Sequence, residues 1–598
     1  MKNKKFTLTG CLIGLLTMAG FAQTIVDVAP NGVAPENAAL DVVVAEQEDT
    51  INGTVFVLER NGVYILDGQI NGKADITFKA AEGEGNRPIV VMGTTNGSQN
   101  SWNIASFSSN LTLDGIHFMC ANLEHQRGGW ANGGINMSTK DLDVSINNCI
   151  IDHMDAVFIQ AWSGGIGDFT FTNNLVRFNG GPYSGNWHGY IIDCKGGPAG
   201  DVYIENNTFM EGMAAILTMD GANYIKSLWI NHNTIVNHAL FPFSTMWAKE
   251  GVMMNNLFVN PEFAGENIDF RANNCNGGSP TGIIDLCTFK DGDDTVSYTV
   301  NGETVHNPVE QDRIYMAGYN NNFYSEGIRT WRESNKGLLS STDTANGGKW
   351  WAMPNSPEGT YGFMTDTTFK KFDSGDYEYY YWDETKSVKT LDPGFTSYTW
   401  DDNDLIAFAR SVTSDPDDSY ELDFGSGAWG IGPDTTKLTL PVAANQYNLS
   451  YSNIELQGSG YRGYPIGDLN WFPAKKTQWE SDVDKEDYDE IVSDIKAGTF
   501  EFISGIHEKQ SIVDGLMSVF PNPSKGLTTI SKKLTSACFV NVTVYNIYGQ
   551  QIQNLYNSRV NAGTFKISFD SSEFTSGTYL IKLTVNSKSS ETKMFVVQ

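Results

Sequence analysis

The sequence predicts an all-β chain, a solenoid of short strands followed by a small antiparallel β-sandwich. Three observations carry that expectation. A short Asn-centred pattern recurs through the middle of the chain, and glycine, at 60 of 598 residues, favours turns over long helices. The last eighty or so residues alternate apolar and polar side chains between clusters of Gly, Pro and Asn.

The elements follow in order. Lys2, Lys4 and Lys5 precede an apolar stretch from Phe6 to Phe21, and Gly20-Phe21-Ala22 supplies a small-x-small site, so residues 1–22 read as a signal peptide. Leu8-Thr9-Gly10-Cys11 imitates a lipobox, but apolar residues still follow Cys11, which favours an exported protein without a lipid anchor. Thr54-Val55-Phe56-Val57-Leu58, Gly62-Val63-Tyr64 and Asp75-Ile76-Thr77-Phe78-Lys79-Ala80 are the first short strands.

The repeat follows. Asn148, Asn174, Asn207, Asn233 and Asn256 give steps of 26, 33, 26 and 23 residues, and Leu113-Asp114-Gly115-Ile116 is an earlier copy. A period near 25 with β-rich segments means coils stacked at strand spacing, about 4.8 Å apart. The recurrent Asn side chains are expected to bond from coil to coil, satisfying buried polar groups. Variation in coil length belongs to loops, where function usually sits.

Beyond residue 290 the pattern fades into a Trp- and Tyr-rich part that forms either extra coils or a layer over one side of the solenoid. The expected organisation is therefore residues 23–473 as the solenoid, irregular from about 290, and 474–516 as an acidic helical cap or linker. Trp479, Val483, Tyr488, Ile491, Val492 and Ile495 lie at helical spacing within the latter. Residues 517–598 form the Ig-like sandwich, in which Val540-Asn541-Val542-Thr543-Val544 and Tyr579-Leu580-Ile581-Lys582-Leu583 present one apolar face each.

Composition narrows the partners. A net charge of −30 argues against nucleic acid and anionic membranes, and no stretch has the eighteen or so apolar residues of a membrane helix. A polyanionic glycan would need bridging Ca²⁺ or a local basic patch. The acidic runs Asp291-Gly292-Asp293-Asp294, Asp401-Asp402-Asn403-Asp404 and Asp415-Pro416-Asp417-Asp418 offer oxygen ligands without the spacing of a known Ca²⁺ loop. Cysteines outside the leader lack zinc-site spacing, and Cys275 and Cys287 are placed to bridge one loop.

Two resemblances add to this reading. Ser518-Val519-Phe520-Pro521-Asn522-Pro523-Ser524-Lys525-Gly526, the Asn546-Ile547-Tyr548-Gly549 turn and Gly577-Thr578-Tyr579-Leu580 together closely resemble the C-terminal sorting domain of Bacteroidetes type IX secretion cargo. That likeness implies export to the outer-membrane surface or the extracellular space, with the secretion machinery as a partner. The Asn-centred coils resemble the right-handed parallel β-helix of pectate-lyase-like proteins, and the opening strands look like those of chondroitinase-B-like and alginate-lyase-like enzymes.

The second likeness implies a polysaccharide substrate, a monomer, and β-elimination beside Ca²⁺. That chemistry needs a base for the C5 proton and a cation for the uronate carboxylate. Tyr190-Ile191-Ile192-Asp193-Cys194-Lys195 places Lys195 at the family's lysine position, whereas Met219-Asp220 replaces the family's Arg-His pair. The candidate catalytic residues are Lys195, His188 and Arg177, and the candidate substrate-binding residues are Trp187, Tyr183, Trp162, Asp193 and Asp220. Neither the polygalacturonase signatures nor the pectate-lyase motifs occur as a set; Trp229-Ile230-Asn231-His232 comes nearest. The competing class is a non-catalytic glycan-binding or adhesin-like surface protein, favoured by the missing arginine and the acidic surface.

Overall fold

A computed structural model of the chain describes residues 23–598 other than 33, 97, 121–132, 153, 155–156, 180–188, 195, 214, 220–223, 244–246, 268–281, 290–296, 336–350, 353–362, 384, 415–447, 483–484, 503–512, 535–537, 548–549, 562 and 586–588. The chain divides into two compact units, the larger holding the solenoid and the smaller the C-terminal sandwich.

The solenoid is a parallel β-helix. Its strands fall into three parallel sheets of eleven, ten and six strands, here sheets 1, 2 and 3. Sheet 1 opens with Thr24–Val28, sheet 2 with Val63–Leu66 and sheet 3 with Ile70–Gly72. Each coil contributes one short strand to a sheet and then turns. The core between the sheets is apolar and continuous, from Val26 through Phe78, Phe171 and Ile230 to Tyr380.

The Asn-Asn pairs build the turn between sheets 1 and 2. Their first residue takes a left-handed backbone, as at Asn173, Asn206 and Asn255 with φ near 55–58°, a conformation Asn tolerates better than most residues. The second turns inward and is buried. Asn207, Asn233, Asn256 and Asn320 each accept the N–H of the preceding coil's asparagine at 2.9–3.1 Å, and each donates back to a carbonyl of the coil before. The ladder begins one position later than the sequence register implies. Asn148 is the left-handed turn residue, and Cys149 stands in the ladder column, its N–H bonded to Asn174 Oδ1 at 2.8 Å. Asn320 extends the ladder beyond the five expected members.

A second column caps the turn that enters sheet 1. Asp75, Asn110, Asp143 and Asp168 each accept, through Oδ1, the backbone N–H of the equivalent residue one coil on, at 2.8–3.3 Å. Asn110 does this without a charge. Burial raises the Asp168 carboxyl above its ordinary value, and the neighbouring carboxylates of Asp201 and Asp143 add to the rise. Asp168→Asn is therefore expected to leave stability unchanged or raise it by about 0.5 kcal/mol, read from the urea midpoint at neutral pH.

Both ends of the stack are covered, as an open solenoid requires. The helix Leu40–Gln47 places Leu40 and Val44 over the first coils. At the far end the helix Asp366–Asp373 packs Phe372 on the core, and Lys371 Nζ meets Glu310 Oε1 at 2.5 Å. Glu310 also accepts the Phe289 N–H, while Arg313 bonds the carbonyls of Ala248 and Cys287. Cys287 is disulfide-bonded, as the expected bridge to Cys275 requires; Cys275 itself lies outside the described residues.

The aromatic-rich part does both things the sequence allowed. Ile314–Gly318, Asn320–Phe323, Tyr380–Tyr381 and Val388–Lys389 are further coils. Tyr398, Leu449, Tyr451, Leu456 and Ile466 then form a layer on the outer face of sheet 2, against Met210, Val236, Leu257 and Val259. Asp468 pins this layer, accepting Thr208 Oγ1–H at 2.7 Å while its own N–H donates to Thr234 Oγ1 at 2.9 Å. On sheet 1, Tyr203 stacks on Trp229, the indole N–H donates to Glu205 at 2.7 Å, and Tyr488 meets Trp229 edge-on. Trp229 and His232, which imitate a lyase motif, are thus packing residues, and His232 is fully buried beside the Gly467 carbonyl. The 474–516 segment carries two helices, Pro473–Ser481 and Tyr488–Lys496.

The smaller unit is an antiparallel sandwich. One sheet holds Val513–Phe520, Leu527–Leu534 and Gly563–Asp570; the other holds Gln551–Val560, Cys538–Asn546, Gly577–Val585 and Ser589–Val597. Val540, Val542, Val544, Ile581 and Leu583 fill its core, as their alternation predicts. Asn522 of the FPNP motif fastens the last strand, accepting the Val596 N–H and donating to the Met594 carbonyl.

Candidate functional site

Sheet 3 carries a column of polar residues at one register position on six successive coils. Asn71 pairs with Ser106, Ser106 with Asn136, Asn136 with Gln160, Gln160 with Asp193 and Asp193 with Thr218. On five of the six strands both neighbours are apolar and enter the core, as with Ile135 and Met137 around Asn136 and Ile192 before Asp193, and Asn71 lies between Ile70 and Gly72. Side chains alternate across a strand, so the six polar groups face outward in a row. Asn136 Nδ2 donates to Ser106 Oγ at 3.1 Å, a contact along the row.

Exposure falls along this row. Asn71 is exposed, Ser106 and Asn136 are half-buried, and Gln160, Asp193 and Thr218 are buried. Trp162 stands where the change occurs. The residue is 47% exposed, and its Nε1–H donates to Asp193 Oδ2 at 2.9 Å, which fixes the ring beside the row. The turn that carries it is tightly backed: a Cβ on Gly196 would lie 2.2 Å from the Trp162 carbonyl oxygen, so only glycine fits there. The arrangement offers amide and hydroxyl groups at strand spacing and one flat apolar platform.

Trp162 and Asp193 are the two sequence candidates brought together. Arg177 lies elsewhere, on sheet 2, where it is 1% exposed and grips Asp152 through Nε at 2.5 Å and Nη2 at 2.8 Å. His117 Nε2 meets the same carboxylate at 2.7 Å. Burial alone would raise the Asp152 carboxyl, but Arg177 and His117 outweigh it and hold the group well below the usual carboxylate range. Lys195, His188, Trp187, Tyr183 and Asp220 lie outside the described residues. Asn71, Ser106, Asn136, Gln160 and Thr218 escaped the sequence reading. Each is the polar centre of an apolar-polar-apolar triplet, such as Ala105-Ser106-Phe107 or Leu217-Thr218-Met219, and that triplet is the signal that would have found them.

Among the described residues no group of three or more His, Cys, Asp or Glu is placed to hold a metal ion. Of the three acidic runs only 401–404 is described, and its carboxylates start a helix: Asp402 takes the Gly327 N–H at 2.8 Å, the Trp400 indole N–H at 2.9 Å and the Ser325 hydroxyl at 2.5 Å.

Burial pushes two carboxyls towards neutrality, Asp468 up to about 7 and Glu211 further. Glu211 is enclosed beside the Tyr398 hydroxyl, and burial pushes its pKa up to about 8. The native state then holds a proton that the unfolded carboxyl loses above about pH 4.5, so this group's contribution is complete below that pH and is lost as pH rises towards about 8. Glu211→Gln keeps a partner for Tyr398 and removes the titration. The melting temperature of the variant is expected to gain on the parent steadily across that window and level off above it.

Residues 518–598 match the family model of a secretion-system C-terminal sorting domain. The chain is exported by type IX secretion to the cell surface or the extracellular space. No curated protein matches the chain.

Proposed function

We propose that the exported β-helix is a glycan-recognition protein that lays a polysaccharide chain along sheet 3. The observation that carries this reading is the outward row from Asn71 to Thr218 with the indole of Trp162 held beside it. Coils repeat at about 4.8 Å, close to the length of one pyranose unit in an extended chain, so successive coils offer like groups to successive sugars. Amide and hydroxyl side chains both donate and accept, which suits sugar hydroxyls, and a tryptophan face suits the C–H face of a pyranose ring.

Recognition is better supported than catalysis. Arg177 is engaged by Asp152 inside the protein and unavailable to neutralise a substrate carboxylate. The test incubates the full chain with insoluble polysaccharides and measures depletion from solution, alongside ultraviolet absorbance for an unsaturated uronate product. Retention on a polysaccharide without new absorbance is the expected outcome. Absorbance that rises with time and vanishes in Lys195→Ala would instead establish a lyase.

A further inference from the structure

We infer that the glycan held on sheet 3 is electrically neutral, and that it lies over the early coils, from Asn71 to Trp162. The inference rests on the glycan-recognition reading above and adds the substrate class and the position. The ligand-facing part of the row is Asn71, Ser106 and Asn136, all uncharged, because exposure is lost from Gln160 onward. The one ionisable group of the row, Asp193, is negative and buried, with Oδ2 occupied by the Trp162 indole N–H. None of the six residues is a cation, and the chain as a whole carries a net charge of −30.

A uronate chain would bring one negative charge per acidic sugar to that row. Lys140, whose side chain packs beside Gly164 in the turn after Trp162, lies 3.8 Å from the carboxylate of Asp141. A neutral chain brings no charge that the uncharged row would have to balance. It is recognised by hydrogen bonds from amides and hydroxyls and by the ring face of Trp162, neither of which depends on ionic strength.

The experiment is affinity electrophoresis and titration calorimetry of the full chain with mixed-linkage β-glucan, xylan and mannan as neutral probes, and with polygalacturonate and alginate as charged ones. Binding to at least one neutral chain is expected, persisting at about 1 M salt, where the Debye length has fallen to about 3 Å. Trp162→Ala is expected to weaken it about tenfold, Asn136→Ala a few-fold, and Trp162→Phe least, because a flat ring is retained. Trp162→Ala and Trp162→Phe also remove a donor from the buried Asp193, so their melting is measured beside their binding, and Asn136→Ala, which leaves that contact intact, tests the row independently. Binding confined to the uronate probes, and lost in salt, would overturn the neutral assignment while leaving glycan recognition standing. Neutral binding indifferent to Trp162 and Asn136 would overturn the placement, and failure to bind any of the five probes would overturn both readings.

Discussion

Arg177→Met is expected to destabilise the solenoid by about 3–5 kcal/mol, because it strips Asp152 of its principal partner and leaves a buried carboxylate with only the His117 imidazole beside it. The geometry gives the reason for so large a cost. Asp152 is fully buried, both of its oxygens are engaged, and Arg177 supplies two of the three contacts. The double variant Asp152→Leu, Arg177→Met is expected to lose markedly less than Arg177→Met alone, since no charge is then stranded in the interior. Denaturant unfolding at neutral pH measures both, and equal losses in the two proteins would show that packing rather than charge compensation dominates. Any loss of glycan binding in Arg177→Met must be read against this loss of fold.

The second large effect is expected at the centre of the asparagine ladder. Asn233 accepts from the Asn207 backbone and side chain and donates to the Ile204 carbonyl and to Asn256, with every partner buried. Asn233→Ala leaves an N–H and a carbonyl without partners where water does not reach, at a cost of about 2–4 kcal/mol. Asn233→Asp is expected to be no better. A carboxylate cannot donate to Ile204 or Asn256, and it would be buried as a charge. The ladder is one-dimensional, so the defect should act locally first, and hydrogen exchange should report faster opening of the flanking coils before the melting temperature of the whole is considered.

Much of the fold was legible because the solenoid repeats its solution. The Asn-Asn pairs carry two jobs in consecutive positions, a left-handed turn and an inward bond, and few residue types serve both. That doubling also caused the error at Asn148, where the turn residue was read as the ladder residue although Cys149 occupies the column. Asn320 was hidden by the 64 residues that separate it from Asn256, long enough to break any search by period. The site was less legible. Coil lengths vary on the way to sheet 3, so Asn71, Ser106 and Asn136 share no spacing, and their common register appears only once strands are paired. Arg177 looked like a groove cation because a sequence does not distinguish a charge facing solvent from one facing Asp152.

The ladder also sets an order of assembly. Most of its bonds join residues 23–33 positions apart, so each coil finds its partners in the chain immediately following it. Contacts of such short range form quickly and need little search through conformations. The layer on sheet 2 is different: Tyr461, Leu469 and Lys476 reach back 206, 263 and 303 positions to Asn255, Asn206 and Asn173. Those loops close only onto coils that already exist. The chain thus carries a rapid templated phase followed by a slow docking phase, and interrupted refolding should populate a stacked solenoid whose sheet 2 is still bare.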